Sequence, residues 1–354
     1  MARAGVITIR DVARESGYSA STVSIVLNAA PLSRYIPSDT KGRIEVVAKR
    51  LGYRPNPLAR SLRSQRSNIV GVMVFDITDP FCTPILRGLE NSLYQANYLS
   101  FLADAHNETH RFERYLEMLL DRRVEGLIIV ANWLVADIKL LGDLTERQVP
   151  TVVAGREVAS ELGSTVSVDN EAGAAVALEH LYKLGHREIA FLRGPRALTS
   201  SGQRWKGIKG FAHSVGLALD PKRIAELPES LGANSSFEAG SQLTAELLRH
   251  GKPFTALLAY DDVTALGALR ALKNKDLRVP EDCSVIGFDD VAQAGLSVPS
   301  LTTVRQPMEA MGAMSAGIVL EAITAADQNR DFAPVRRKIP AELVVRESTR
   351  PLAV

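Results

Sequence analysis

From Ile69 onward, short apolar runs alternate with amphipathic stretches. The runs are IVGVMVF, YLSFLADA, GLIIVA, PTVVAG, TVSVD, REIAFLRG, ALLAYDD and CSVIGFDD, and helical patterning falls near 83–97, 109–121, 171–184, 205–216, 236–250 and 263–274. Near-continuous apolar strands separated by helices predict parallel sheets covered on both faces, an α/β layer architecture. The roughly 280 residues involved exceed one sheet of such short strands, so two lobes are expected, divided near Gly163–Val166. Ligands of such sheets bind beyond the C-terminal strand ends. Asp76, Asp169, Asp261 and Asp289 stand at those ends, as ligand acceptors or as helix caps.

The first 66 residues have a different texture. Thr8, with Asp11 three residues on, begins a helix that runs to about Ser16 and stops at Gly17. Tyr18 and Ser19 turn into a second helix, Ala20 to Leu27, and the pair makes a helix-turn-helix. In that second helix Val23, Val26 and Leu27 share one face. Ser19, Ser21, Thr22 and Ser24 are mediocre helix formers, because their hydroxyls compete for the backbone. A helix that packs one side and offers small polar groups on the other is suited to touching a partner. A loop, NAAPLSRYIPSD, precedes a third helix from Thr40 to Leu51, ended by Gly52. In YRPNPLARSLRSQRSN, Asn56 can cap and Pro57 suits a first helical position, but the segment to Leu62 is too short to be helical alone. It reads as a linker that becomes helical when bound.

Charge sharpens this division. Residues 1–66 hold 12 Lys/Arg against 4 Asp/Glu, a net of +8, and the remainder holds 30 against 36, a net of −6. A basic head on an acidic body is the footprint of a polyanion binder. No apolar run approaches the ~20 residues of a membrane span. Arg10, Asp11, Arg14 and Glu15 arrive too early for a secretory leader. Cys82 and Cys283, far apart, read as buried reduced thiols, so a cytoplasmic protein without a membrane partner is expected.

ITIRDVARESGYSASTVSIVLN resembles the N-terminal signature of the lactose-repressor (LacI/GalR) transcription factors, and LGYRPNPLARSLRS resembles their hinge. GLII, SVDNEAGAAVALEHLYKLGHREIAFLRGP, RWKGIKGF, YDDVTALGALRAL, VPEDCSVIGFDD and PSLTTVRQP follow as successive blocks of the effector domain, so the resemblance covers about residues 6 to 348. It implies an all-α helix-turn-helix domain (1–55), a hinge (56–66) and a two-lobed body like periplasmic sugar-binding proteins (67–354). It also implies three crossings between lobes. Lobe 1 takes about 67–163 and 292–323, including LTTVRQP, and lobe 2 takes 164–291 and 324–350, including the strand ELVVRES.

The expected function is repression of carbohydrate-utilisation genes by a homodimer on a palindromic operator in double-stranded DNA. A small hydroxylated effector, a sugar or sugar derivative, controls it by linkage between lobe closure and hinge spacing. The resemblance puts Ala20, Ser21 and Ile25 at base-reading positions in the major groove, with Ser19, Thr22 and Ser24 at phosphates. Thr8 and Asn28 belong to the same interface. Ile25 departs from the long polar residue common there; it can meet a thymine methyl but cannot hydrogen-bond guanine. The loop after Asn28 is about three residues longer than usual; Arg34 and Tyr35 there either contact DNA or are solvated while Ile36 fills the small core. In the hinge, Leu62 matches the leucine that wedges into the minor groove, Asn56 and Ala59 line it, and Arg60 meets phosphate.

In the effector cleft the matching residues are Arg204, Asp261 and Asp289, with Asp76 at the first strand's end and Phe81 stacking on the ligand. Carboxylates accept paired hydroxyl hydrogen bonds, which suits a sugar or polyol. Gly155 and Ser235 stand where many relatives carry an acidic and an aromatic residue, which makes the cleft roomier. Trp205 packs within its lobe.

Catalysis receives little support, since G-x-S-x-G, Walker A and G-x-G-x-x-G are all absent. His106 and His110 of HNETH stand at i and i+4, but Glu108 is misplaced for a zinc helix, and Asn107 or Thr109 reads as a helix cap. No enzyme activity, metal or cofactor is expected. A periplasmic transport receptor with the same body would lack the basic head. The C-terminus after RESTRPLAV lacks the apolar heptads of a tetramerising coiled coil, so dimers are expected.

Overall fold

The computed structural model describes residues 7–28, 30–53, 66–131, 148–157, 163–229 and 236–352. The chain divides into two compact units, Met1–Ser67 and Asn68–Val354.

In the first unit, α1 (Ile9–Ser16), α2 (Ala20–Leu27) and α3 (Ser38–Leu51) close around Val12, Val23, Val26, Ile44, Val47 and Ala48. Each helix end has a local cause. The Asp11 carboxylate accepts from the Thr8 backbone N–H (3.0 Å) and hydroxyl (2.7 Å), and Arg14 donates to its other oxygen at 2.6 Å. These bonds, the Thr8 hydroxyl foremost, hold Asp11 below the usual carboxylate range. Gly17 and Gly52 stop α1 and α3 in the left-handed region, at φ 78° and 70°. The third helix begins two residues before the expected Thr40, directly after Pro37. The segment read as a loop contains a 3₁₀ turn, Pro31–Tyr35, because Pro31 sets the first turn and the Ser33 N–H reaches the Ala30 carbonyl at 2.7 Å.

The second unit holds two six-stranded sheets. The first orders β11 (Arg336–Ile339), β5 (Ser164–Val168), β4 (Thr151–Ala154), β3 (Gly126–Val130), β1 (Ile69–Val74) and β2 (Leu99–Asp104), all parallel. Its inner strands are buried along nearly their whole length, which explains their unbroken apolar sequence. One face is covered by α4 (Cys82–Gln95) and the other by α5 (Thr109–Asp121).

The second sheet orders β12 (Glu342–Val344), β10 (Thr302–Arg305), β9 (Ser284–Asp289), β8 (Ala256–Ala259), β6 (Ile189–Arg193) and β7 (Ile224–Glu226). Only β12 runs antiparallel. Helices α6 (Asn170–Lys183) and α7 (Thr199–Ser214) cover one face, and α8 (Ser236–His250) and α9 (Asp262–Lys273) the other. The short α10 (Ala292–Leu296) adds Ala294 to that second core. The last helix, α11 (Met308–Asp327), belongs to the first sheet, where Met311, Ala316, Val319 and Ile323 join Ile85 and Leu89 of α4. It is the one described helix long and apolar enough to cross a membrane, and more than half of it is buried in this core.

The chain passes between sheets three times, but not where expected. β5 pairs with β4, so the first lobe keeps Ser164–Val168 and the passage follows Val168. LTTVRQP does not return to the first lobe: β10 pairs with β9, and the second passage falls at Gln306–Pro307. β11 pairs with β5 before β12 returns to the second sheet, so residues 336–339 are also first-lobe. Ladder pairing decides these positions, and the Thr/Val-rich textures of β5 and β10 do not mark which sheet each joins.

Candidate functional site

In the first unit, α2 is docked by its two valines. At 3.6 residues per turn, Ala20, Ser24, Asn28, Ser21 and Ile25 fall within about 140° on the opposite side. Ser19, Ala20, Ser21 and Asn28 are exposed, and Thr22, Ser24 and Ile25 half-buried. Ile25 takes no part in the core cluster around Val23 and Val26. Part of the hydroxyl excess has an internal role. Ser19 is the N-cap, accepting from the Thr22 N–H at 3.1 Å, and its hydroxyl lies 2.8 Å from that of Thr22. Asn28 Nδ2 donates to the Ser24 carbonyl at 2.8 Å and lies 3.3 Å from its hydroxyl. Ala20, Ser21 and Ile25 are left as the stripe with no such duty. Beyond the helix, the Arg34 guanidinium lies 4.7 Å from the Tyr35 ring centre, both side chains are exposed, and Ile36 packs against the core. Thr8 is engaged with Asp11. The hinge residues Asn56, Ala59, Arg60 and Leu62 lie outside the described residues, as does Ser235.

In the second unit the strand-end aspartates separate by role. Asp169 caps α6, accepting from the Ala172 N–H at 3.0 Å. Asp261 caps α9, accepting from the Thr264 N–H at 2.7 Å. Asp76 braces its own loop, accepting from the Thr78 N–H (2.9 Å) and Asn107 (3.2 Å). Asp289 caps nothing. It is the last residue of β9, at φ 119°, and one carboxylate oxygen accepts from Gln306 at 2.5 Å and Arg204 at 3.3 Å.

Arg204 organises this group. Its Nε donates to Asn170 (2.8 Å), Nη1 to the Tyr260 carbonyl (2.5 Å) and Nη2 to Asp289. Its guanidinium carbon lies 3.6 Å from the Phe288 ring centre and 4.7 Å from that of Tyr260. Arg204, Asp261, Asp262 and Asp289 are all buried, and the Arg204 charge acts on Asp261 and Asp289. Burial, opposed by Arg204 and reinforced by Asp261, pushes Asp289 up to about 7. Burial also raises Asp261 and, with the Asp289 charge, Asp262. Each of these carboxyls already accepts a hydrogen bond within the protein, and a carboxyl can exchange further hydrogen bonds with ligand hydroxyls. Behind Arg204, a cavity of about 30 Å³ bounded by Phe191, Ser201, Trp205, Tyr260 and Phe288 has room for a water-sized group.

Arg204, Asp261 and Asp289 thus come together, whereas Asp76 stands on the first sheet. Phe81 departs from expectation: it is 1% exposed, part of the first-lobe core, and offers no ring face for stacking. Gly155 is part of the reason, because at φ 92° it lacks a Cβ that would come within 3.1 Å of the Phe81 ring. Trp205 packs in its lobe as expected, edge-on to Phe191 at 5.6 Å. Sequence reasoning missed Asn170, Gln306 and Tyr260. Asn170 and Gln306 flank passages between the lobes, and their signal was a lone amide beside a strand end. Tyr260 acts through its carbonyl, which carries no sequence signal. The helix at His110 is preceded by Glu108 as its N-cap, not by Asn107 or Thr109. His106 and His110 face separate carboxylates, Asp104 and Glu108, and no metal-holding cluster occurs among the described residues.

Two family models match the chain: bacterial regulatory proteins of the lacI family over residues 8–56, and a periplasmic binding protein-like domain over 178–349. The HTH-type transcriptional repressor CytR of Escherichia coli K12 is 31% identical over 347 residues, 98% of this chain and 97% of that protein. Among solved structures, the lac repressor dimer bound to operator and the anti-inducer ONPF superposes with a TM-score of 0.84 at 26% identity, covering 98% of this chain and all of that one. A complex of the transcriptional regulator CelR with cellobiose gives 0.72 at 29% identity, covering 97% of this chain and 99% of that one. The chain belongs to the LacI family of DNA-binding transcriptional regulators.

Proposed function

We propose that this protein is a cytoplasmic repressor that binds a palindromic operator as a homodimer and releases it when a small hydroxylated effector, a sugar or sugar derivative, occupies the second-lobe site. The observation that carries the reading is the buried Arg204–Asp289 pair at the C-terminal ends of the second sheet, in a chain that also presents the small-residue stripe of α2. Ala20, Ser21 and Ile25 face base edges, with Ser19, Thr22, Ser24, Asn28 and Thr8 nearer the phosphate backbone. In the hinge, Leu62 wedges into the minor groove at the operator centre, Asn56 and Ala59 line it, and Arg60 meets phosphate. Asp261 and Asp289 take effector hydroxyls while Arg204 orients them. The cellobiose complex of CelR, a relative, supports a sugar-class ligand.

Dimerisation is supported by exposed apolar side chains in both lobes: Tyr94 near the end of α4 and Leu99 and Leu102 on the edge strand β2, and Leu296 and Val298, 80% and 96% exposed. Coupling follows if ligand and DNA favour different lobe arrangements, since each must then weaken the other's binding equally. The test is fluorescence anisotropy of a selected duplex titrated with pentoses, hexoses, disaccharides and polyols. One sugar class should release the wild-type protein. Asp289→Asn should keep DNA affinity and lose the response. Equal response in that variant would remove the site assignment.

A further inference from the structure

The outward stripe of α2 contains no charge: Ala20, Ser21, Ser24, Ile25 and Asn28 can shape-match a groove but cannot attract phosphates. The chain places a cation, Arg34, in the 3₁₀ turn that follows the helix. The Ala30 N–H donates to the Ile25 carbonyl at 3.0 Å, which ties the following turn to the helix end. Ile36 pins the far side of that turn into the core. Between these anchors, Arg34 lies against the Tyr35 ring, and among the described residues no carboxylate pairs with it. Tyr35 is 70% exposed and Leu32 59%, so both side chains stand open to a partner.

We propose that the turn Pro31–Tyr35 is a second DNA-gripping element, in which Arg34 seats on a backbone phosphate flanking the major groove and Tyr35 is its positioning residue. The inference rests on the reading of α2 as the groove-entering helix. The ring contact limits the conformations that the guanidinium must give up on binding. The partner is the sugar-phosphate backbone, so the contact is blind to sequence. It gives a helix that reads by small side chains the electrostatic hold it lacks.

The experiment measures binding of the full chain to a selected operator and to a random-sequence duplex of equal length, across salt concentrations. Arg34→Ala should weaken both duplexes by the same factor. It should also flatten the log–log salt slope by about 0.9 per protomer, the signature of one lost phosphate contact. Tyr35→Ala should weaken both about two- to fivefold with the slope unchanged, while Tyr35→Phe binds as wild type. Circular dichroism confirms that each variant is folded. Wild-type affinity and slope in Arg34→Ala would overturn the inference, and so would a loss confined to the operator, which would make Arg34 a base reader. Failure of the wild-type chain to prefer any duplex would overturn instead the reading of α2.

Discussion

The guanidinium of Arg204 lies 3.3 Å from the carboxylate of Asp289, and both side chains are 6% exposed. A buried pair of this kind is a poor source of net stability, but removing one member strands the other. Arg204→Ala should therefore cost about 3–5 kcal/mol in urea denaturation. Asp289→Asn, which keeps an oxygen for Gln306 and Arg204, should cost less. The double variant Arg204→Ala/Asp289→Asn should be more stable than Arg204→Ala alone, because the neutralised partner no longer needs the guanidinium. Simple additivity would mean that the two residues do not act as a pair.

Titration should expose the same site. Asp289 is raised to about 7 by burial, so the folded state holds its proton more tightly than the unfolded chain. Its contribution to stability is complete below the ordinary carboxylate range and is lost as pH rises through about 7. His186 behaves oppositely. Burial lowers its pKa, and its neutral ring bridges Thr255, Ser284 and the Arg350 carbonyl at 2.9, 3.1 and 3.1 Å. That contribution is present above the ordinary histidine value and is lost as pH falls through the lowered one. Melting temperature against pH should flatten on the neutral side in Asp289→Asn and on the acid side in His186→Gln. An unchanged profile in either variant refutes the corresponding assignment.

The passage at Gln306–Pro307 feeds α11, whose seat on α4 depends on close backbone approach. A Cβ at Gly312 would stand 2.0 Å from the Ile85 carbonyl oxygen, and one at Gly88 1.9 Å from that of Glu309. Gly312→Ala should therefore push the helices apart and destabilise the first lobe by about 1–3 kcal/mol. Gly317→Ala on the same helix meets nothing within 4 Å and should be silent or slightly stabilising. Equal midpoints for the two variants in guanidinium would rule out the close-packing account.

On α2, Ser19→Ala should cost about 1 kcal/mol through the lost cap alone. Ile25→Gln should leave stability nearly unchanged, because Ile25 lies outside the core cluster, and should change the preferred base at one symmetric pair of operator positions. Selection with this variant returning the wild-type operator would place Ile25 off the DNA.

Much of this was legible in the chain. Val23 and Val26 announced the docked face of α2, and the unbroken apolar runs announced covered parallel strands. What the sequence concealed has common physical roots. The lobe passages depend on which strands pair, and TVSV and TTVR carry the same apolar texture whichever sheet they join. Phe81 looked available because it follows a strand, but it is buried in the first-lobe core, with room left in part by Gly155, far along the chain. Asn170 and Gln306 matter for the hydrogen bonds they give or accept at a remote charge, and a single amide letter does not report its partner.

The most direct test of the account is selection of bound duplexes from a random DNA pool, repeated at two salt concentrations. The account predicts a palindromic winner bound far more tightly than bulk DNA, with thymine at the positions facing Ile25. Steeply salt-dependent binding with no winning sequence would contradict it, and would mean that the basic head only grips phosphate.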